Sequence, residues 1–140
     1  MTHRISPADR AFVQAFEACS VPADQFNHRA HLRLAYVYLC AEDVDSAAQR
    51  MKSSLVAYLS HLQADPAKFH HTMTQAWVMA VRHFMDKSQG FDDFDAFLAA
   101  SPVLMDTKVM LTHYSAEALF SDEARASYIE PDKQPIPPPP

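Results

Sequence analysis

The chain has 140 residues, of which 49% are hydrophobic and 21% are charged, values typical of one globular domain. Its single glycine, Gly90, excludes the glycine-rich loops that hold phosphates in P-loop and dinucleotide-binding folds. A net charge of −5 without a run of lysine and arginine argues against nucleic-acid binding, and no apolar stretch approaches the roughly 20 residues that cross a bilayer. Because the first residues lack the apolar run of a signal peptide and only two cysteines occur, we expect a cytoplasmic protein without a disulfide.

Helix-forming residues dominate the long stretches without glycine, so we predict an all-α fold, an up-down bundle of four or more helices. The first helix is predicted to start at the N-cap Ser6 and to end before Pro22. The second is predicted over 27–40, and the third follows an acidic turn and continues to about residue 62. The fourth is predicted over 67–87.

Weaker helical patterns follow the fourth helix. Four short helical segments are predicted, over 91–100, 103–114, 115–120 and 121–128. Six of the ten prolines fall in the last ten residues, so we expect 130–140 to be an extended or disordered tail. Residues 1–129 are therefore assigned to a single helical domain.

Histidines lie near the starts of two predicted helices. His28 and His31 are three residues apart on the apolar face of the second helix. The fourth helix has its most regular stripe, predicted to face the core, at His70, Thr74, Trp77, Val81 and Phe84. In an up-down bundle the second and fourth helices run in the same direction, so their first turns fall in nearly the same layer. We therefore expect His28, His31 and His70 to meet at one end of the core.

Three imidazoles with an open coordination position are typical of a catalytic metal site. The leading hypothesis is a transition-metal site, zinc or iron, with His28, His31 and His70 as ligands. Three further residues are expected to bind a ligand beside it: Lys68, Thr72 and Thr74. Spacing selects no carboxylate as a fourth ligand and no catalytic residue. If the protein is an enzyme, chemistry of metal-activated water or oxygen is the class to expect.

Two other interpretations remain open. Helix N-termini carry partial positive charge, so two of them facing one layer favour an anion over a divalent cation. A pocket of His, Lys and Thr side chains would then bind a small anionic ligand without a metal. Alternatively the histidines are structural, satisfied by hydroxyls or carbonyls, in an interaction protein for which a homodimer is the default assembly.

Three motifs occur together along the chain: F-x-H-x-x-H-L at 26–32, K-F-H-x-T-x-T at 68–74, and S-x-E-A-R at 121–125 followed by E-P-D at 130–132. This combination resembles a family of short all-helical bacterial proteins of uncharacterised function, over most of the chain. The resemblance implies that a set of motif residues belongs together: His28, His31, His70, Thr72 and Thr74. It implies no reaction, substrate or cofactor.

Overall fold

A computed structural model describes residues 3–65 and 68–136, and within these ranges the chain is all-α, as predicted. The described residues form seven α-helices: α1 (Pro7–Glu17), α2 (His28–Ala41), α3 (Val44–His61), α4 (His71–Lys87), α5 (Phe94–Ala100), α6 (Ala116–Leu119) and α7 (Asp122–Ala126). Short 3-10 helices connect some of them, at Ala23–Gln25, Pro102–Met105 and Thr107–Thr112. None of the helices so described is long and apolar enough to cross a membrane.

Side-chain caps fix the starts of the first three helices. Ser6, Asn27 and Asp43 each accept a hydrogen bond from the backbone N–H three residues further on, at 3.0, 3.0 and 2.8 Å. Such caps satisfy donors that the first turn of a helix leaves without an intrahelical partner. The predicted starts of the first two helices are therefore confirmed.

The fourth helix starts later than predicted. Part of the predicted start, 66–67, lies outside the described residues, but α4 begins at His71 and His70 is its N-cap. The Nδ1 atom of His70 accepts a hydrogen bond from the backbone N–H of Met73 at 3.0 Å. Imidazole thus takes a role usually filled by Ser, Thr, Asp or Asn, so cap preferences do not mark His70 as the start of a helix.

Helices α2, α3 and α4 pack against one another at the centre of the molecule. α1 packs on α2 and α3, α5 packs on α2, and α7 packs on α4. α2 is the most enclosed, since every residue over 34–39 is buried. A helix that is buried on all sides over six consecutive residues belongs inside the domain rather than on its surface.

The buried face of α4 differs from the predicted stripe. Of the five residues predicted to face the core, only Val81 is buried, while Thr74, Trp77 and Phe84 are partly exposed. The buried residues of α4 are Thr72, Ala76, Val78, Ala80, Val81 and Met85. Because α4 packs against α2, α3 and α7, its buried surface is wider than a single heptad stripe.

The described part of the predicted tail, 130–136, contains no helix but packs on the domain. The backbone N–H of Lys133 donates to the carbonyl of His113 at 2.9 Å, and Nδ1 of His113 donates to the carbonyl of Gln134 at 2.8 Å. Ile136 is 5% exposed and belongs to the apolar core. The rest of the tail, 137–140, lies outside the described residues. Both cysteines, Cys19 and Cys40, are free thiols.

Candidate functional site

His28, His31 and His70 line one cavity between α2, α3 and α4, which we call the histidine cavity. Its volume of about 560 Å³ lies within the range of pockets that bind small organic molecules. Large apolar side chains make most of its wall, among them Met51, Leu55, Leu59, Leu62, Met73 and Trp77. The space between the first turns of α2 and α4 is therefore a cavity and is not filled by core side chains.

Charge is sparse in the histidine cavity. Lys68 and Thr74 line it, together with Asn27 and Thr107. Of the described lining residues, Lys68 alone carries a permanent charge, and neither Asp nor Glu is among them. The N-termini of α2 and α4 both lie at this cavity, and helix N-termini add partial positive charge. The electrostatic character of the cavity is therefore positive.

His28 is held between a carbonyl and an aromatic ring. Its Nε2 donates a hydrogen bond to the carbonyl of Leu104 at 2.8 Å, so Nε2 carries a proton. The ring packs edge-on against Trp77, with 4.6 Å between the ring centroids. Its Nδ1 has no hydrogen-bond partner among residues 3–65 and 68–136, which leaves one lone pair available.

His31 is fixed in the opposite tautomer. Its Nδ1 donates to the carbonyl of Asn27 at 3.0 Å, which leaves Nε2 as an acceptor. The ring packs on Phe26, with centroids 4.0 Å apart. Burial lowers the pKa of His31, and the neighbouring His28 lowers it further, although the Asn27 carbonyl opposes both. His31 is therefore neutral at pH 7 and offers Nε2 to a hydrogen-bond donor or a metal.

His70 offers no free ring nitrogen in this conformation. Its Nε2 donates to the carbonyl of Leu119 at 2.7 Å, and its Nδ1 caps α4 as described above. A metal bound by His70 would have to break one of these two hydrogen bonds. Within the described part of the chain, no group of three or more His, Cys, Asp or Glu side chains is arranged to hold a metal ion.

Thr72 lies outside the histidine cavity, unlike Thr74 and Lys68. It is fully buried, and its Oγ1 donates to the carbonyl of Ser127 at 3.0 Å and accepts from the N–H of Ile129 at 3.1 Å. The side chain thus binds the segment after α7 to the start of α4.

Sequence reasoning missed the apolar wall of the histidine cavity. The stripe of α3 that contains Met51, Leu55, Tyr58 and Leu59 matches ordinary core periodicity, and Met51, Leu55 and Tyr58 are indeed buried. Periodicity shows which face of a helix turns inward, but it carries no signal that distinguishes a filled core from a cavity wall.

No family model, no curated protein and no solved structure matches this chain. The resemblance of its motifs to a family of short helical bacterial proteins therefore stays an expectation.

Proposed function

We propose that the protein binds a small organic anion with an apolar body in the histidine cavity, without a metal. The observation that carries this proposal is the composition of the cavity wall, because its described lining residues are mostly large and apolar and include one permanent cation and no acid. Binding pockets of this kind take most of their affinity from apolar contact and their orientation from a few polar groups.

The polar groups of the cavity support a ligand with a carboxylate at one end. Lys68 is exposed and supplies a point charge that can pair with the carboxylate. Thr74 offers a hydroxyl donor, and the first turns of α2 and α4 offer the positive ends of two helices. The neutral His31 accepts a hydrogen bond through Nε2 from any donor group on the ligand.

Trp77 makes the proposal testable without labels, because it is the only tryptophan and it lines the histidine cavity. We expect decanoate to change Trp77 fluorescence saturably, and decanol, which has the same chain without the charge, to bind about tenfold more weakly. Lys68→Gln should remove this preference for decanoate. Lys52→Gln, which removes the same charge outside the cavity lining, should preserve it.

Two results would overturn the anion proposal. One is the absence of a saturable fluorescence change with either compound. The other is equal affinity for decanoate and decanol in the unmodified protein, which would show that the charge of Lys68 does not contribute to binding. Thermal unfolding of each variant checks that the fold is intact.

A transition-metal site is the second candidate function. Two free lone pairs in the same cavity favour it, Nδ1 of His28 and Nε2 of His31, because a neutral imidazole nitrogen is the form that binds zinc or iron. Lys68 and Thr74 would then lie beside the metal. Of the three predicted ligands, His70 alone would have to give up an existing hydrogen bond.

Elemental analysis of protein purified without an affinity tag or chelator tests the metal. Near-stoichiometric zinc or iron that is lost in His28→Ala and in His31→Ala, both still folded, would support a metal site. Bound metal should also dissociate as the pH falls through the titration of imidazole. Metal that is absent, and is not taken up on addition, would overturn the metal proposal.

A further inference from the structure

A second cavity, which we call the arginine cleft, is lined by residues before and within α1 together with residues of α2 and α3. Its volume is about 590 Å³, and it shares no lining residue with the histidine cavity. Three of the seven arginines of the chain line it: Arg4, Arg10 and Arg50. In a chain with a net charge of −5, this is a local concentration of positive charge.

The acidic side chain in the arginine cleft is already paired with an arginine. Glu17 is the only Asp or Glu among its described lining residues. Oε2 of Glu17 accepts hydrogen bonds from the hydroxyl of Tyr38 at 2.9 Å and from Nη2 of Arg50 at 3.1 Å. Arg50 also lies 3.7 Å from a carboxylate oxygen of Glu42. Arg50 and Glu17 therefore balance each other.

Arg4 and Arg10 differ from Arg50 in their interactions. Neither guanidinium has a hydrogen bond, an ion pair or a ring contact with the residues that the structure describes. By contrast, Arg33 and Arg82 each bind a carboxylate, at 2.9 and 3.1 Å. Arg4 and Arg10, which lack such a partner among the described residues, thus both line the same cleft.

The backbone positions of these two arginines are fixed by the fold. The N–H of Arg4 donates to the carbonyl of Phe91 at 2.8 Å, and its carbonyl accepts from the hydroxyl of the buried Tyr36 at 2.7 Å. Arg10 lies near the N-terminus of α1, where the helix dipole disfavours a cation. Helix stability therefore does not explain a cation at position 10.

We propose that the arginine cleft binds a small molecule that carries a phosphate or diphosphate group. The planar guanidinium group pairs with phosphate through two parallel hydrogen bonds, and its charge is permanent. Ile5, Val13 and Val37 supply apolar wall for the organic part of the ligand. The volume of the cleft suits a ligand of that size. This proposal is independent of the histidine cavity and does not depend on its function.

Isothermal titration calorimetry with pyrophosphate at constant ionic strength tests the proposal. We expect saturable binding with one site per chain, at least tenfold weaker in the double variant Arg4→Gln/Arg10→Gln. Each single variant should bind several-fold more weakly than the unmodified protein. Lys108→Gln, which removes one exposed positive charge outside both cavities, should bind pyrophosphate as the unmodified protein does.

Three results would overturn the proposal. The first is the absence of saturable pyrophosphate binding, and the second is equal affinity in the double variant and in Lys108→Gln. The third is binding to phosphatidylcholine vesicles that contain phosphatidic acid without binding to pyrophosphate, since that would identify a lipid surface and not a small molecule. Both arginines are exposed, so the variants are expected to fold, which far-ultraviolet circular dichroism checks.

Discussion

Asp9 joins three parts of the chain through one carboxylate. It is 2% exposed, and its Oδ1 accepts from Nε of Arg33 on α2 at 2.9 Å. Oδ2 accepts from the backbone N–H of Ser6 at 3.1 Å and from that of Phe94 on α5 at 3.0 Å. Burial raises the pKa of Asp9, but the hydrogen bonds from Ser6, Phe94 and Arg33 together outweigh burial and hold the pKa below its usual value.

We expect Asp9→Asn to lower the free energy of unfolding at pH 7 by about 2 kcal/mol, because Arg33 loses a largely buried carboxylate. Since the pKa of Asp9 is lower in the folded than in the unfolded state, its stabilisation is present above about pH 4 and is lost as the pH falls through the folded-state pKa. We therefore expect the difference in free energy of unfolding between the unmodified protein and Asp9→Asn, measured in urea, to be smaller at pH 3 than at pH 7.

Asp95→Asn is the matched control for Asp9. Asp95 pairs with Arg29, but its side chain is 72% exposed, so its loss should change stability by less than about 0.5 kcal/mol. A loss for Asp9→Asn at pH 7 as small as that of Asp95→Asn would contradict a structural role for the buried carboxylate.

His70 shows that the sequence alone does not distinguish a histidine that caps a helix from one that binds a ligand. Its two hydrogen bonds, from Met73 N–H and to the Leu119 carbonyl, predict that His70→Ala loses about 2 kcal/mol of stability. His70→Asn should recover about half of that loss, because Asn is a good N-cap but cannot reach both partners. Thermal unfolding compares the two variants, and equal losses would mean that the cap contributes nothing.

Among the helices, capping residues predicted where α1 and α2 start, whereas periodicity did not predict the buried face of α4. Ser6 and Asn27 have side chains that cap strongly, so the starts of α1 and α2 could be read from the sequence. The face of α4 could not, because α7 adds a packing partner that lies some 40 residues further along the chain. The sequence likewise does not show that Thr72 binds the segment after α7, since nothing local to Thr72 marks that contact.

The contact between α4 and the segment after α7 can be tested with two threonines of the same helix. Thr72→Val should lower stability by about 1 to 2 kcal/mol, because the N–H of Ile129 is left without its partner. Hydrogen exchange at 127–129 should become faster. Thr74→Val should leave exchange there unchanged, since Thr74 lines the histidine cavity and has no hydrogen bond through its hydroxyl among the described residues. Equal exchange in both variants would argue against the contact.

For the whole molecule, the order and direction of the first four helices indicate one shared layer for His28, His31 and His70, and the structure shows these three residues lining one cavity. The chemistry of the site was not predictable in the same way. Which ring nitrogens are free depends on the carbonyls of Leu104 and Leu119, which are distant along the chain. The arginine cleft could not be predicted from the sequence either. Arg4, Arg10 and Arg50 are separated in sequence, and only tertiary packing brings them to one cavity.

The C-terminal segment, 132–136, packs on the helical domain. Ile136 is buried in the core, and residues 132–134 bond to the turn at 113–115, with Asp132 accepting from the N–H of Ser115 at 2.8 Å. We expect Ile136→Ala to lower the free energy of unfolding of the whole domain by about 2 kcal/mol, since it leaves a cavity in a packed core. Pro135→Ala, one residue earlier and exposed, should change it by less than about 0.5 kcal/mol. A single cooperative urea transition, shifted in Ile136→Ala alone, would show that the chain to residue 136 folds as one unit, whereas equal midpoints would place the end of the cooperative domain before it.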